Sequence, residues 1–276
     1  MKLLIDGDIL LYKIGMVYDK PIQFGDDAPI YRDIQEAKDA YTLFISTLMS
    51  TLKADRMTLF FTTGKSWRYD VFPKYKGNRP PKPEIINTLK AWALVHYAED
   101  VHCYQSYEAD DLLGLHQDIL GNTILCSSDK DLLQIPGKHY DWKRDCYQVE
   151  DGTFIDNRLF TVSPEEAEKF FWTQVLTGDP TDGYQGLPGV GPAKAKGILE
   201  GCESPEDYWA AIVIAYLRHG YTIQDARQQA QLAYILHPWD TYEYRWQPPF
   251  DIENDPKYET LIRVLTNKKG QITSNE

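Results

Sequence analysis

KLLIDGDIL (Lys2–Leu10) is an apolar run that stops on an acid, Asp6, with a second acid, Asp8, two residues later. Lys2–Ile5 is short and apolar, the pattern of a buried strand. If that strand lies in a parallel sheet, its two acids stand just beyond its carboxyl end. Open α/β sheets gather their ligands at that edge. The same acids make the segment a poor secretory signal. No apolar run in the chain approaches the roughly 18 residues that a bilayer span requires. Both features point to the cytoplasm and away from a membrane.

Outward from this strand the pattern alternates. Apolar residues at 34, 37, 41, 44, 48 and 52 form a helical stripe. MTLFFTT (Met57–Thr63) reads as a second strand. FPKYKGNRPPKP (Phe72–Pro83) is proline-rich and basic and must be a loop. Glu84–Tyr97 reads as a helix and VHCYQ (Val101–Gln105) as a third strand. Leu112, Leu113, His116, Ile119 and Leu120 share one helix face that Gly121 ends, and TILCSS (Thr123–Ser128) reads as a fourth strand. Strands alternating with helices predict an α/β fold, a mostly parallel sheet flanked by helices. CYQVEDGTFI (Cys146–Ile155) has the form of a hairpin around an Asp-Gly turn. SPEE, from Ser163, is a capping box with proline at the first helical position and Glu166 at the third. From there to about Leu236 the pattern is helices and turns. The expected division is a sheet domain over 1–160 and a helical domain over 161–276.

The chain has 276 residues, 43% hydrophobic and 25% charged, which is ordinary for a soluble protein. Its net charge of −12 speaks against a nucleic-acid partner if the acids are evenly spread. They are not. Cys103, Cys126, Cys146 and Cys202 make no C-x-x-C pair, so zinc is not indicated, and Cys103 and Cys126 read as buried thiols. The six histidines make no H-x-x-x-H pair and read as structural.

The acids cluster at the predicted strand ends. Asp6 and Asp8 follow the first strand, YEADD (Glu108, Asp110, Asp111) the third, and SSDKD (Asp129, Asp131) the fourth. GDPTD adds Asp179 and Asp182. Each group has an ordinary structural explanation: Asp110 and Asp111 offset a helix dipole, Asp129 caps a helix, and Asp179 and Asp182 form turns. Together they put nine carboxylates at one sheet edge, a repulsion that divalent cations remove. An all-oxygen donor set selects Mg²⁺ or Mn²⁺ over zinc. Two such ions about 4 Å apart hydrolyse phosphodiesters.

GLPGVGPAK (Gly186–Lys194) supplies the opposite chemistry. Gly186, Gly189 and Gly191 allow a tight turn that presents amide N–H groups to an anion, with Lys194 and Lys196 within reach. On the glycines alone this is an ordinary helix corner. The full G-L-P-G-V-G-x-x-K spacing matches a helix–hairpin–helix turn over 183–197, which grips a DNA backbone without reading bases. In the basic loop, Lys74, Tyr75, Lys76, Arg79 and Lys82 interleave cations with a ring, suited to phosphate contact and base stacking.

With these motifs in hand, the chain resembles the 5′-nuclease superfamily: bacteriophage 5′–3′ exonucleases, those of T7-like phages in particular, flap endonucleases, and the 5′-nuclease domain of bacterial DNA polymerase I. LLIDGD, YKGNRPPKP, EADDLLG, SSDKDLLQ and GDPTDGYQGLPGVGPAKA stand in the family's order. The resemblance implies a PIN-like sheet domain, an arch over about 72–100, and a helix–three-turn–helix DNA grip. It implies that Asp6, Glu108, Asp110, Asp111, Asp129, Asp131, Asp179 and Asp182 surround two metal ions. It further implies that Lys76 and Arg79 contact the scissile phosphate, that Tyr75 stacks a terminal base, and that K⁺ binds at the hairpin turn. The implied activity is metal-dependent 5′ nuclease cleavage of DNA, and of RNA in hybrids, by a monomer in the cytoplasm (the host's, for a phage protein). The implied setting is phage replication, primer removal or host DNA degradation.

Two positions depart from the family pattern: Thr62 stands where many relatives carry aspartate, and Asp8 where they carry a small or polar residue. The segment from Arg79 to Val101 is also short for a full arch. Two rival readings stay open at this point. A haloacid-dehalogenase-type phosphatase would use Asp6 and Asp8 as nucleophile and acid, but it leaves the basic loop unexplained. A non-catalytic DNA-binding protein would use only the hairpin and would leave the acids without purpose. A P-loop is excluded, because TTGKS lacks the first glycine, with Leu59 in its place.

Overall fold

Five consecutive residues, Lys2–Asp6, form β1, and the side chains of Leu3, Leu4 and Ile5 are wholly buried. Burial on both faces of a strand is the mark of a central position in a parallel sheet. The computed structural model describes residues 1–19, 34–148 and 154–272. The chain divides into two compact units, and the division is not a single break. One comprises 1–66, 80–167 and 235–242, the other 67–79, 168–234 and 243–276.

In the first unit β1 leads directly into α1 (Gly7–Tyr18), followed by α2 (Gln35–Thr51) and β2 (Arg56–Phe60). A Cβ on Gly7 would lie 2.4 Å from the Phe61 ring, so only glycine permits this tight strand-to-helix step. Within the other unit, the short α3 (Arg68–Val71) precedes the basic loop; α4 (Glu84–His96), β3 (Val101–His102), α5 (Ala109–His116) and β4 (Thr123–Cys126) continue the sheet unit. A 3₁₀ turn, Lys130–Gln134, leads to β5 (Gly137–Tyr140). The hairpin β6 (Cys146–Gln148) and β7 (Phe154–Asp156) follows, then β8 (Leu159–Val162).

The main sheet has six strands in the order β3-β2-β1-β4-β5-β8. All neighbours run parallel except β5 and β8. Leu3 and Ile5 pack with α1, with Ala37, Tyr41, Ile45 and Leu48 of α2, and with Ile85, Ile86 and Leu89 of α4. Leu4, alternating with Leu3 and Ile5, is equally buried, and α5 lies against β1 and β2. The sheet flanked by helices is as the sequence predicts, and so is the antiparallel register of β6 and β7. The Asp-Gly turn expected between them lies outside the described residues.

Several boundaries differ. The helix read through to Gly121 ends at His116, because Gln117 turns to extended backbone and Asp118 takes the Leu120 N–H at 2.7 Å. Ile119 and Leu120, assigned to its buried face, are 54% and 86% exposed. β5 and β8 carry no strong alternation and went unread. Cys126 is buried as expected, but Cys103 is exposed, since β3 stops one residue before it.

The second unit is helical, with α6 (Pro164–Thr177) entering it, then α7 (Pro192–Ile198), α8 (Pro205–Arg218), α9 (Ile223–Ala233) and α10 (Pro256–Ile272). The Ser163–Glu166 box caps α6 in both directions, at 2.9 and 3.1 Å. Trp172, Trp209 and Trp246 form its aromatic core. Arg68 is 2% exposed and donates to the carbonyls of Leu232 and Tyr234, tying the start of the basic loop to the end of α9. Among the described residues no helix is long and apolar enough to cross a membrane.

Candidate active site

Asp6 ends β1 and caps α1, accepting the Ile9 N–H at 3.0 Å. Its other oxygen accepts the Ser127 hydroxyl at 2.7 Å, and Ser127 Oγ in turn accepts the Asp129 N–H at 3.0 Å. Asp129 then accepts the Asp131 N–H at 2.9 Å. A single relay thus joins the ends of β1 and β4, the two central strands. Burial pushes the Asp6 carboxyl from its ordinary 3.8 up to about 7, helped by the carboxylates of Asp8 and Asp129 and opposed by the bonds from Ile9 and Ser127.

The third acidic group starts α5. Glu108 and Asp111 form a reciprocal capping box, with the Glu108 N–H on Asp111 Oδ2 at 3.4 Å, and Asp110 occupies the same first turn. Asp111 is fully buried. Its other oxygen accepts the Leu236 N–H at 3.4 Å, from the returning segment Ile235–Tyr242. Gln134, also fully buried, holds that segment through the Ile235 N–H at 2.9 Å and His237 Nε2 at 2.9 Å.

Asp8 faces a different task. It accepts the Thr62 N–H and the Lys90 ammonium, both at 2.8 Å, while Lys90 also donates to the Thr62 carbonyl at 2.7 Å. Thr62 Oγ accepts the Ala109 N–H at 2.9 Å. Thr62, standing where relatives have aspartate, therefore ties the end of β2 to the start of α5. The phosphatase reading needs Asp8 as a proton donor, and its ion pair with Lys90 removes it from that role.

Among the described residues, no three carboxylate, histidine or cysteine side chains converge closely enough to chelate an ion as they stand. The chemistry of the donor set nevertheless fits a hard divalent cation. Its members are all oxygen donors, and burial with adjacent negative charge pushes the Asp6 carboxyl up to about 7, a cost that bound positive charge removes.

In the helical unit the acids and the basic loop meet. Asp182 is 9% exposed; it accepts the Tyr75 hydroxyl at 2.9 Å, pairs with Lys76 at 3.5 Å, and pairs closely with Arg79. The loop backbone is tied to the same turn, Lys76 N–H to the Asp182 carbonyl at 2.7 Å and Asn78 to the Pro180 carbonyl at 2.8 Å. Asp179 is 6% exposed and accepts the Thr181 N–H at 2.8 Å. One expectation is corrected here. Tyr75 does not offer a face for base stacking: its ring is 2% exposed, packed edge-on against Tyr69 at 5.7 Å, and it positions Asp182 instead.

The glycine turn folds onto itself as its composition requires. Gly186 has φ 61, and a Cβ there would stand 2.4 Å from the Gly178 nitrogen. Gly189 also takes positive φ, whereas Gly191 is extended and caps α7 ahead of Pro192. Lys194 and Lys196 are exposed, as are Lys74 and Lys82. Lys194 Nζ reaches back to the Gly189 carbonyl at 2.7 Å.

Sequence reasoning missed Ser127, Lys90 and the segment Ile235–Tyr242. Ser127 was visible as the first residue of SSDKD, a hydroxyl at a strand end. Nothing in the sequence marks the other two.

Comparison with known proteins gives a consistent answer. Residues 1–162 match the family model described as 5′-3′ exonuclease, N-terminal resolvase-like domain. The exodeoxyribonuclease of Enterobacteria phage T3 is 25% identical, over 68% of this chain and 70% of its own. The flap endonuclease Xni of Shewanella amazonensis is 28% identical, over 62% of this chain and 69% of its own. DNA polymerase I of Rhizobium leguminosarum is 31% identical over 51% of this chain, a stretch that spans only 14% of the polymerase. In fold, the chain is similar to bacteriophage T5 5′-exonuclease with divalent zinc ions bound, with a TM-score of 0.57, 15% identity and 99% coverage of both chains. It is likewise similar to the T5 D15 flap endonuclease in a pseudo-enzyme-product complex with DNA and metal ions, with a TM-score of 0.55, 17% identity and 84% and 85% coverage. By its matched domain, its sheet topology and its relatives, the chain belongs to the 5′–3′ exonuclease family, within the 5′-nuclease superfamily.

Proposed function

We propose that the chain hydrolyses phosphodiester bonds of DNA at or near 5′ ends. The observation that carries this reading is the partly buried relay Asp6–Ser127–Asp129–Asp131 across the two central strands. Asp6, Glu108, Asp110, Asp111, Asp129 and Asp131 are the residues that would hold Mg²⁺ or Mn²⁺. Two such ions, when bound, supply activation of a water and stabilisation of the leaving oxygen. The protein's own contribution is to fix the carboxylates. Ser127 orients Asp6 and Asp129 together, the capping box orients Glu108 and Asp111, and the Lys90–Asp8 pair holds the end of β2.

In the helical unit, Lys76 and Arg79 both pair with the single Asp182 carboxylate in the free protein. A DNA phosphate competes for the same two cations, and the Arg79 guanidinium can grip it bidentately. The exposed Lys74, Lys82, Lys194 and Lys196 add backbone contacts without sequence preference. The Lys194 ammonium donates to the Gly189 carbonyl in the same turn at which K⁺ would bind.

The test is duplex DNA labelled at one end and incubated with protein and Mg²⁺. Early release from the 5′ label, stopped by EDTA, is the expected outcome; release from the 3′ label alone, or none, overturns the reading. Replacing Asp129 and Asp131 together by alanine should abolish cleavage and leave DNA binding intact or tighter.

A further inference from the structure

With Tyr75 buried, a different set of rings has the exposure that base stacking needs. The segment Cys103–Tyr107 leaves the carboxyl end of β3 and delivers Glu108 to the start of α5. It is pinned along its length. Gln105 continues the parallel pairing opposite Thr63, and the Tyr107 N–H closes a turn on the Tyr104 carbonyl at 3.3 Å. Within that turn Ser106 takes a φ of 75, a left-handed conformation that a side-chain-bearing residue holds only where its surroundings impose it.

Tyr104 stands on this turn, 53% exposed. Its ring rests on Tyr107 at a centroid distance of 5.5 Å and on Tyr242, from the returning segment, at 5.0 Å. Tyr107 is 6% exposed and its hydroxyl is bonded to the Tyr242 carbonyl, and the Tyr242 hydroxyl meets His102 Nε2 at 3.3 Å. Two distant stretches of chain therefore fix three rings together and leave the outermost in solvent, four residues ahead of Glu108. A ring so held loses little entropy on contact.

We propose that Tyr104 is a stacking platform for an unpaired nucleobase of the DNA substrate, close to the phosphate that the carboxylates address. This rests on the nuclease reading above. The chemistry of the ring selects the base over the backbone: a tyrosine face carries no positive charge to hold a phosphate, whereas it accepts any base by stacking. Nothing in the ring distinguishes one base from another, so the contact is indifferent to sequence.

The experiment compares kcat/KM for the wild-type protein, Tyr104→Ala and Tyr104→Phe on 5′-labelled duplexes with natural or abasic residues at the first few 5′ positions. Tyr104→Ala should lose about tenfold on natural DNA, with Tyr104→Phe recovering most of that loss. On abasic DNA the gap between wild type and Tyr104→Ala should close. Because the ring is half in solvent, the thermal unfolding of Tyr104→Ala should match wild type. Equal cleavage of natural DNA by both proteins, or an undiminished gap on abasic DNA, overturns the platform and leaves the nuclease reading standing. No cleavage by wild type overturns both. Unchanged cleavage with an altered association state in sedimentation assigns the rings to a second protein chain instead.

Discussion

Asp182 and His139 show how partners decide what a side chain does. Asp182 reads in sequence as one more metal ligand, yet it is enclosed by the hydroxyl of Tyr75 and the cations of Lys76 and Arg79. Replacing it with asparagine removes one counter-charge from the Lys76 and Arg79 cluster and, with Arg79 half in solvent, should cost about 1 kcal/mol in urea unfolding; an unchanged midpoint would show that the cluster is only decoration. His139 read as an ordinary structural histidine, and its burial gives it a pH signature. The ring is 4% exposed, donates to the Ile135 carbonyl at 2.7 Å and stacks on Phe160. Burial, aided by the nearby Arg144 charge, lowers its pKa from 6.5 to about 4, against the pull of the Ile135 bond. The folded value lies below the unfolded one, so the stabilisation is full above pH 6.5 and is lost as pH falls towards 4. At most that is about 3 kcal/mol. His139→Gln should therefore lose less stability than wild type between pH 7.5 and 4.5, and parallel losses would refute the assignment. The acids could be read because their type and placement carry the chemistry. Their long-range bonds, Asp6 to Ser127 and Asp8 to Lys90, could not, because each spans more than 80 residues.

At the scale of elements, α5 gathers most of what the sequence showed and most of what it hid. EADDLLG could be read as acids at a helix start, because capping and dipole rules are local. Its true end at His116 could not, since Gln117 is drawn away by the Lys138 carbonyl and Thr123. Nor could the role of Gly114. A Cβ there would lie 1.9 Å from the Leu236 carbonyl oxygen, so the glycine exists to let the returning segment approach. That segment donates the Leu236 N–H to Asp111. Gly114→Ala should displace it, destabilise the protein by about 1–3 kcal/mol, and lower kcat more than it raises KM, because Asp111 loses a positioning bond. Loss of stability with an unchanged kcat would confine the contact to packing. The short strands β5 and β8 were hard to read for the opposite reason. With four residues each, they are defined by neighbours in the sheet rather than by any pattern of their own.

For the whole molecule the governing fact is a net charge of −12 in a protein proposed to bind a polyanion. Part of that excess is not spread over the surface: Asp6, Glu108 and Asp111 are each less than 9% exposed within one unit. Buried carboxylates destabilise the native state relative to the unfolded chain, where water solvates them, and the Asp8 and Asp129 charges near Asp6 add to that cost. An ion that binds only the native arrangement should raise stability by mass action, about 2.7 kcal/mol at a concentration a hundredfold above its dissociation constant. Mg²⁺ titrated against thermal unfolding should therefore raise Tm progressively, and NaCl of equal ionic strength should not reproduce the rise, because screening reaches buried charges poorly. Replacing Asp129 and Asp131 by asparagine relieves part of the repulsion in advance. That variant should start at an equal or higher Tm without Mg²⁺ and lose most of the response to it. An equal Mg²⁺ response in the two proteins would place the ion elsewhere, and no response in the wild type would mean the carboxylates pay their electrostatic cost for some purpose other than holding metal.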